Sequence, residues 1–243
     1  MTKRRMRSAL RALSTALIIC GTLLLADAGA TLLWQEPVSA LYARFQQGEL
    51  QGQFDRLERV KPTPIEQRAL KKLPDPRRRL AFSARALDRK TDDGDAVGKL
   101  LIDRIGLSTV FVEGTNAGDL RSGPGHFPNT PLPGQRGTVG IAGHRTTYGA
   151  PFRKIDKVRS GDEIVIVMPY GRFTYRVERK RIVEPTAVWV TNRVSYDRLI
   201  LSACHPRFSA RQRIVVFARV QSVAPARLGR TAKSLKRVAT VTR

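Results

Sequence analysis

The chain has 243 residues, 42% of them hydrophobic, and a formal net charge of +24. That length accommodates one core of ordinary domain size with appendages. Its two cysteines exclude a disulfide framework, because Cys20 lies in an apolar N-terminal segment and Cys204 in the distal half, on opposite sides of a membrane boundary.

The first segment, residues 1–11, is a basic flank carrying Lys3, Arg4, Arg5, Arg7 and Arg11. An apolar run follows over 12–34, interrupted by Asp27 and ending on Trp34, long enough to span a bilayer as a helix with the basic flank in the cytoplasm. A cleaved signal peptide ending near Ala26, Ala28 and Ala30 is the shorter alternative. Leu32, Leu33 and Trp34 continue the apolar run and favour the uncleaved anchor. Either way, residue 35 onward crosses the membrane.

Residues 35–96 are expected to form a helical, polar stalk. Val38, Leu41, Tyr42, Phe45, Leu50, Phe54 and Leu57 recur at three to five positions, as on an amphipathic helix. Pro62, Pro64, Pro74 and Pro76, with the many charges around them, make 61–96 too polar for a core. Asp92, Asp93 and Asp95 lack the alternating ligands and terminal glutamate of a calcium loop.

Residues 97–221 change character. Short runs at 99–105, 109–113, 138–142, 163–168, 172–183, 198–204 and 214–220 are rich in branched and aromatic residues, with Gly or Pro between most of them. A sandwich or closed barrel is expected. One helical insert is expected after Pro151, where Phe152, Ile155 and Val158 share a face. The tail, 222–243, is basic and without apolar periodicity, so disorder is expected there.

A strongly basic chain commonly meets nucleic acid. Here the folded part lies beyond the membrane, and no helix-turn-helix, zinc-finger or aromatic RNA-binding motif occurs. Anionic lipid or wall polymer is the better counterpart, with a merely solvated basic surface as the alternative. Nothing in the sequence asks for a metal or cofactor.

The chemistry centres on Cys204. A cysteine nucleophile needs thiolate character, a proton carrier and donors for an oxyanion. Of the three histidines, His205 is adjacent to Cys204 and points to the opposite face of a strand, while His126 sits in a turn-rich loop. His144 ends a strand-like run after Gly143 and is the best acid or base. Arg213 keeps its proton and can only donate hydrogen bonds to a carbonyl or oxyanion.

Three blocks, Ile-Ala-Gly-His-Arg ending in His144 and Arg145, Leu-Ser-Ala-Cys ending in Cys204, and Arg213 before Ile-Val-Val, resemble the signature blocks of the sortase family, with sequence closest to the class E type. The 123–135 loop resembles that family's loop before the histidine strand. The resemblance implies a mainly β fold, an eight-stranded barrel with short helices, behind an N-terminal transmembrane helix. It also implies a membrane-tethered cysteine transpeptidase acting on surface proteins with a C-terminal Leu-Pro-x-Thr-Gly or Leu-Ala-x-Thr-Gly sorting signal. Cys204 would attack the Thr carbonyl, His144 protonate the departing amine and Arg213 support the oxyanion, with a peptidoglycan-precursor amine as acceptor. The threonine usual before the cysteine is Ala203 here, which puts substrate preference in question, and Tyr148 is a second candidate for substrate contact. A cysteine hydrolase and a non-catalytic wall-binding barrel are the alternatives.

Overall fold

The computed structural model describes residues 3–33 and 37–226. Four helices come first: α1 (Lys3–Leu33), α2 (Pro37–Arg59), α3 (Pro64–Lys72) and α4 (Pro76–Asp88). One stretch, Arg7–Gly29, is long and apolar enough to cross a membrane, and none of it is buried in the protein. Trp34, the expected end of the anchor, lies outside the described residues.

The prolines act as helix starters. Thr63 caps α3 through a capping box with Glu66, Asp75 caps α4, and each cap is followed by a proline whose missing N–H costs nothing in the first turn.

Eight strands follow: β1 (Ala96–Ile102), β2 (Leu107–Glu113), β3 (Gly125–His126), β4 (Thr138–Ala142), β5 (Glu163–Met168), β6 (Gly171–Val183), β7 (Arg198–His205) and β8 (Gln212–Pro225). A short helix, α5 (Ala117–Ser122), separates β2 from β3. The strands close into a barrel in the order β1-β2-β3-β4-β7-β8-β6-β5. The β2–β3 and β4–β7 pairs are parallel and the others antiparallel.

Alternation sets the two faces of the wall. In β6, Phe173, Tyr175 and Val177 point inward while Arg172 and Arg176 face solvent. Past Val177, β6 outruns β5 and pairs with β8 alone.

Within the expected stalk, Pro37–Arg59, Pro64–Lys72 and Pro76–Asp88 are helical, yet α2 and α4 are not separate from the barrel. Leu50 and Phe54 of α2 are buried against Ala96, Val110 and Val112 of the barrel wall. Gln47 hydrogen-bonds the main chain of both β2 and α5: its Nε2 donates to Val110 O (3.0 Å) and Ser122 O (2.9 Å), and its Oε1 accepts from Val110 N–H (2.9 Å). Leu80 and Ala84 of α4 enter the main core. A few apolar residues one helical turn apart suffice to dock a helix that is otherwise polar.

Two other expectations shift. Phe152, Ile155 and Val158 are all fully buried, but they are carried by turns and a 3-10 segment, Ile155–Lys157, with no α-helical insert. β8 reaches Pro225, where it pairs with Gly171, so 222–225 belong to the sheet and not to a tail. Residues 227–243 lie outside the described residues.

Candidate active site

The barrel wall places the candidate residues by pleat and register. On the adjacent strands β4, β7 and β8, Val139, Ile141, Leu199, Leu201, Ala203, Ile214 and Val216 fill the interior. The alternate residues Ile200, Val215 and Phe217 face outward and form a second apolar cluster with Val190, flanked by Phe127. Cys204 continues the Ile200–Ser202 row and Arg213 the Phe217–Val215 row, so both belong to the outer face. They are direct cross-strand partners.

His144 joins them from β4. Ala142 pairs with Ser202, and Gly143 N–H donates to Ser202 O (3.0 Å), so the parallel ladder runs one step past the end of β4. One residue beyond His144, Arg145 Nη1 lies 2.9 Å from His205 Nδ1 and 3.4 Å from Cys204 O. His144 is thus bracketed at the level of Cys204. Cys204 and Arg213 therefore face each other across β7 and β8, and His144 lies just past the end of β4 at the same end of the barrel.

Gly143 is required for this approach, since a Cβ there would sit 2.7 Å from the Phe152 ring. Phe152 N–H in turn donates to His144 O (3.0 Å).

Burial and, secondarily, the positive charge of Arg121 push the His144 imidazole below its usual pKa of 6.5. The Tyr148 ring lies 5.2 Å from the His144 ring, and the Arg121 guanidinium stands over the Tyr148 ring, 5.7 Å from its centroid. Tyr148 itself is held by α2: its N–H donates to Ser39 Oγ (3.0 Å), and Tyr42 meets its ring edge-on at 6.4 Å.

Arg213 Nη1 donates to Ala210 O (2.9 Å) and Gln212 O (3.1 Å), which ties the guanidinium to the loop between β7 and β8. Cys204 is half-buried and a free thiol.

The remaining histidines are occupied elsewhere. His126 is fully buried, with Nδ1 2.9 Å from the Glu113 carboxylate and Nε2 3.0 Å from Thr130 Oγ1, so it fastens β3 and its loop to β2. His205 belongs to the opposite face with Arg145, whose Nη2 reaches Asp156 at 3.0 Å. Burial raises the Asp156 carboxyl, but the Arg145 hydrogen bond and the charges of Arg145 and Arg207 outweigh it and leave its pKa below the usual value. Among the described residues no group of three or more His, Cys, Asp or Glu could hold a metal ion.

Ala203, expected to touch substrate, turns its methyl into the barrel core and is 3% exposed. Strand parity is the reason: it belongs to the Leu199–Leu201 row, so only its main chain can face the site. Tyr148 lies beside His144, ring to ring. Arg121, Ser39 and Tyr42 bear on it too, and no motif marks them; they arrive from distant segments by packing alone.

The outer-face wall beside Cys204 is apolar. Trp189 stacks on Phe217 at 6.1 Å, and the loop that carries it is tied down by buried Arg198, whose Nη2 donates to Val190 O and Asn192 O. A Cβ on Gly140 would come within 2.4 Å of the Phe127 ring, so β4 must be bare there for the ring to lie across it.

A closed barrel with a cysteine and an arginine paired across two strands and a histidine at the end of the next is an arrangement suited to acyl transfer. Residues 100–221 match the sortase domain, and the chain belongs to the sortase family, whose members are cysteine transpeptidases. It is 34% identical over 119 residues to sortase D of Bacillus subtilis, covering 48% of this chain and 58% of that protein. The structure of sortase E from Streptomyces avermitilis is 33% identical and matches with a TM-score of 0.51, covering 58% of this chain and 97% of that one. A sortase D5 transpeptidase of Clostridium perfringens matches with a TM-score of 0.58 at 25% identity, over 73% and 99% of the two chains. The chain spans less than two thirds of the length of the curated relatives it matches.

Proposed function

We propose that this chain is a membrane-anchored sortase that cleaves a Leu-Pro-x-Thr-Gly or Leu-Ala-x-Thr-Gly sorting signal between Thr and Gly and passes the acyl group to an amine of a cell-wall precursor. What supports this reading is the rung that Cys204 shares with Arg213 on β7 and β8, with His144 just past the end of β4, whose Ala142 pairs with Ser202.

In the first half-reaction the Cys204 thiolate forms an S–C bond to the Thr carbonyl. The oxyanion that develops is met by Arg213, the one permanent cation on that rung. The C–N bond to Gly then breaks, and the His144 imidazolium gives its proton to the departing amine. In the second, the acceptor amine attacks the thioester and loses a proton to His144, the new amide forms, and Cys204 leaves as thiolate.

A depressed His144 pKa favours neutral imidazole in the resting protein. The pair that is both thiolate and imidazolium is then a minor population, and the pH profile is bell-shaped with an acid limb set by His144.

The layout expected for such a protein follows: 1–11 in the cytoplasm, 12–34 in the membrane, 35–95 as a helical collar, 96–225 as the catalytic unit on the outer side and 226–243 as a basic extension. Tyr148 would line the peptide site beside His144. The apolar wall of Ile200, Phe217 and Trp189 suits the uncharged Leu-Pro or Leu-Ala part of a signal.

The test uses the full chain in detergent micelles with quenched fluorescent peptides of both signal types, with and without oligoglycine or a diaminopimelate-type amine. Cleavage, a thioacyl adduct on Cys204 by mass spectrometry and an amide product only with added amine are expected. Cys204→Ala abolishes all three, and Arg213→Lys lowers turnover by on the order of 10²-fold with the fold intact. Equal inertness of wild type and Cys204→Ala across the peptides overturns the reading, and hydrolysis alone despite added amine makes the protein a hydrolase.

A further inference from the structure

We infer that the exposed apolar edge of α2 is a membrane-interface surface, seated at the headgroup–acyl boundary of the bilayer that α1 would cross; the inference rests on the anchor reading proposed above. Leu41 and Phe45 are 71% and 67% exposed and Tyr42 is 45% exposed, with Arg44 beside them. The i, i+4 spacing puts Leu41 and Phe45 on one stripe, and these four residues line a shallow apolar depression.

The opposite side of α2 is already used. Ala43, Leu50 and Phe54 are buried and Gln47 is hydrogen-bonded to β2 and α5. The helix therefore has two apolar faces, and the barrel accounts for only one. A lone exposed leucine needs no explanation, but a contiguous Leu-Tyr-Phe stripe does.

Chain continuity says what covers it. α1 ends at Leu33 and α2 begins at Pro37, a step of at most about 14 Å of extended chain. Leu41 lies one helical turn further, about 6 Å. The stripe is thus tethered within about 20 Å at Leu41 and about 26 Å at Phe45 of the end of the apolar helix, close to the headgroup layer. Arg44 can lay its stem along the apolar stripe and reach lipid phosphate with its guanidinium. The strongly basic chain complements an anionic bilayer in the same way.

The placement bears on the candidate active site. Tyr42 borders the stripe and also meets Tyr148, and Ser39, one turn earlier, holds the Tyr148 N–H. Seating α2 in the interface holds the His144 loop beside the membrane surface and restrains it.

The test labels the full chain with an environment-sensitive nitrobenzoxadiazole group on single cysteines, Leu41→Cys or Phe45→Cys, in a Cys20→Ser, Cys204→Ala background. Each variant keeps the other apolar residue. Lys61→Cys, just beyond α2, is the control. The proteins are reconstituted in vesicles of phosphatidylcholine with phosphatidylglycerol. Expected are flotation with the vesicles, blue-shifted emission at positions 41 and 45 quenched by lipids brominated on the acyl chain, and water-like emission at 61 quenched by iodide. If the chain floats but 41 and 45 behave like 61, the interface is overturned and the anchor stands. If the chain does not float, the anchor reading fails and this inference with it. A blue shift that brominated lipid leaves unquenched and dilution of the protein abolishes assigns the stripe to a second copy, and overturns the inference as well.

Discussion

Phe54→Ala removes the side chain that seats α2 most deeply. Phe54 is 1% exposed, in a cluster with Leu50, Ala96, Val110 and Val112. Emptying such a site costs about 3–5 kcal/mol when the surroundings do not collapse. The Gln47 hydrogen bonds to Val110 and Ser122 oppose release of the helix, at about 1 kcal/mol each. The penalty is therefore comparable with what the remaining contacts can hold. At about 2–4 °C per kcal/mol for a protein of this size, the melting temperature falls by roughly 6–20 °C if α2 stays docked. If α2 lets go first, the fall is smaller, and hydrogen exchange reports the release. The Val110 N–H, bonded to Gln47 Oε1, and the Tyr148 N–H, bonded to Ser39 Oγ, both lose protection. Thermal denaturation and exchange mass spectrometry on the full chain read the two outcomes. An unchanged melting temperature together with unchanged exchange at Val110 and Tyr148 refutes the docking of α2 and returns residues 37–59 to a free stalk.

Arg121→Gln removes a positive charge that disfavours the His144 imidazolium, so the His144 pKa rises and the acid limb of the activity profile moves to higher pH; NMR titration of the ring protons checks the direction independently. The same depressed pKa makes a stability statement. The unfolded histidine takes up a proton near 6.5 and the folded one only at lower pH, so this contribution is complete above 6.5 and is lost as pH falls toward the folded value, which denaturant titrations at several pH values measure. Gly140→Ala drives a methyl into the Phe127 ring and costs roughly 1–3 kcal/mol by overpacking, seen as a lower denaturation midpoint at unchanged m-value.

The barrel was legible because its strands alternate or run apolar between turn residues, and β4 and β5 coincide with the runs at 138–142 and 163–168. β3 was not, since two residues between Pro124 and Phe127 carry no period. The stalk was misjudged for a physical reason: α4 carries five charged residues in thirteen, and its docking rests on Leu80, Ala84 and Ala86, small or few residues that composition hides. Cys204, His144 and Arg213 stood out by motif. That they gather at one end of the barrel could not be read from the chain, because β4 meets β7 in parallel with 55 residues of loops and β-structure between the two strands, and only the pairing of Ala142 with Ser202 fixes the level. The inward turn of Ala203, in contrast, followed from its parity with Leu199 and Leu201.

The overhang of β6 beyond β5 leaves a strand edge that pairs with no other strand among the described residues. Such an edge is a template for strand addition from another molecule. Three consecutive cations, Arg179, Lys180 and Arg181, run along it, and the Lys180 ammonium is turned onto the carbonyls of Asp156 and Val158. An identical edge brought alongside would set like charges against each other. The sheet can therefore be crowded without growing from one molecule into the next.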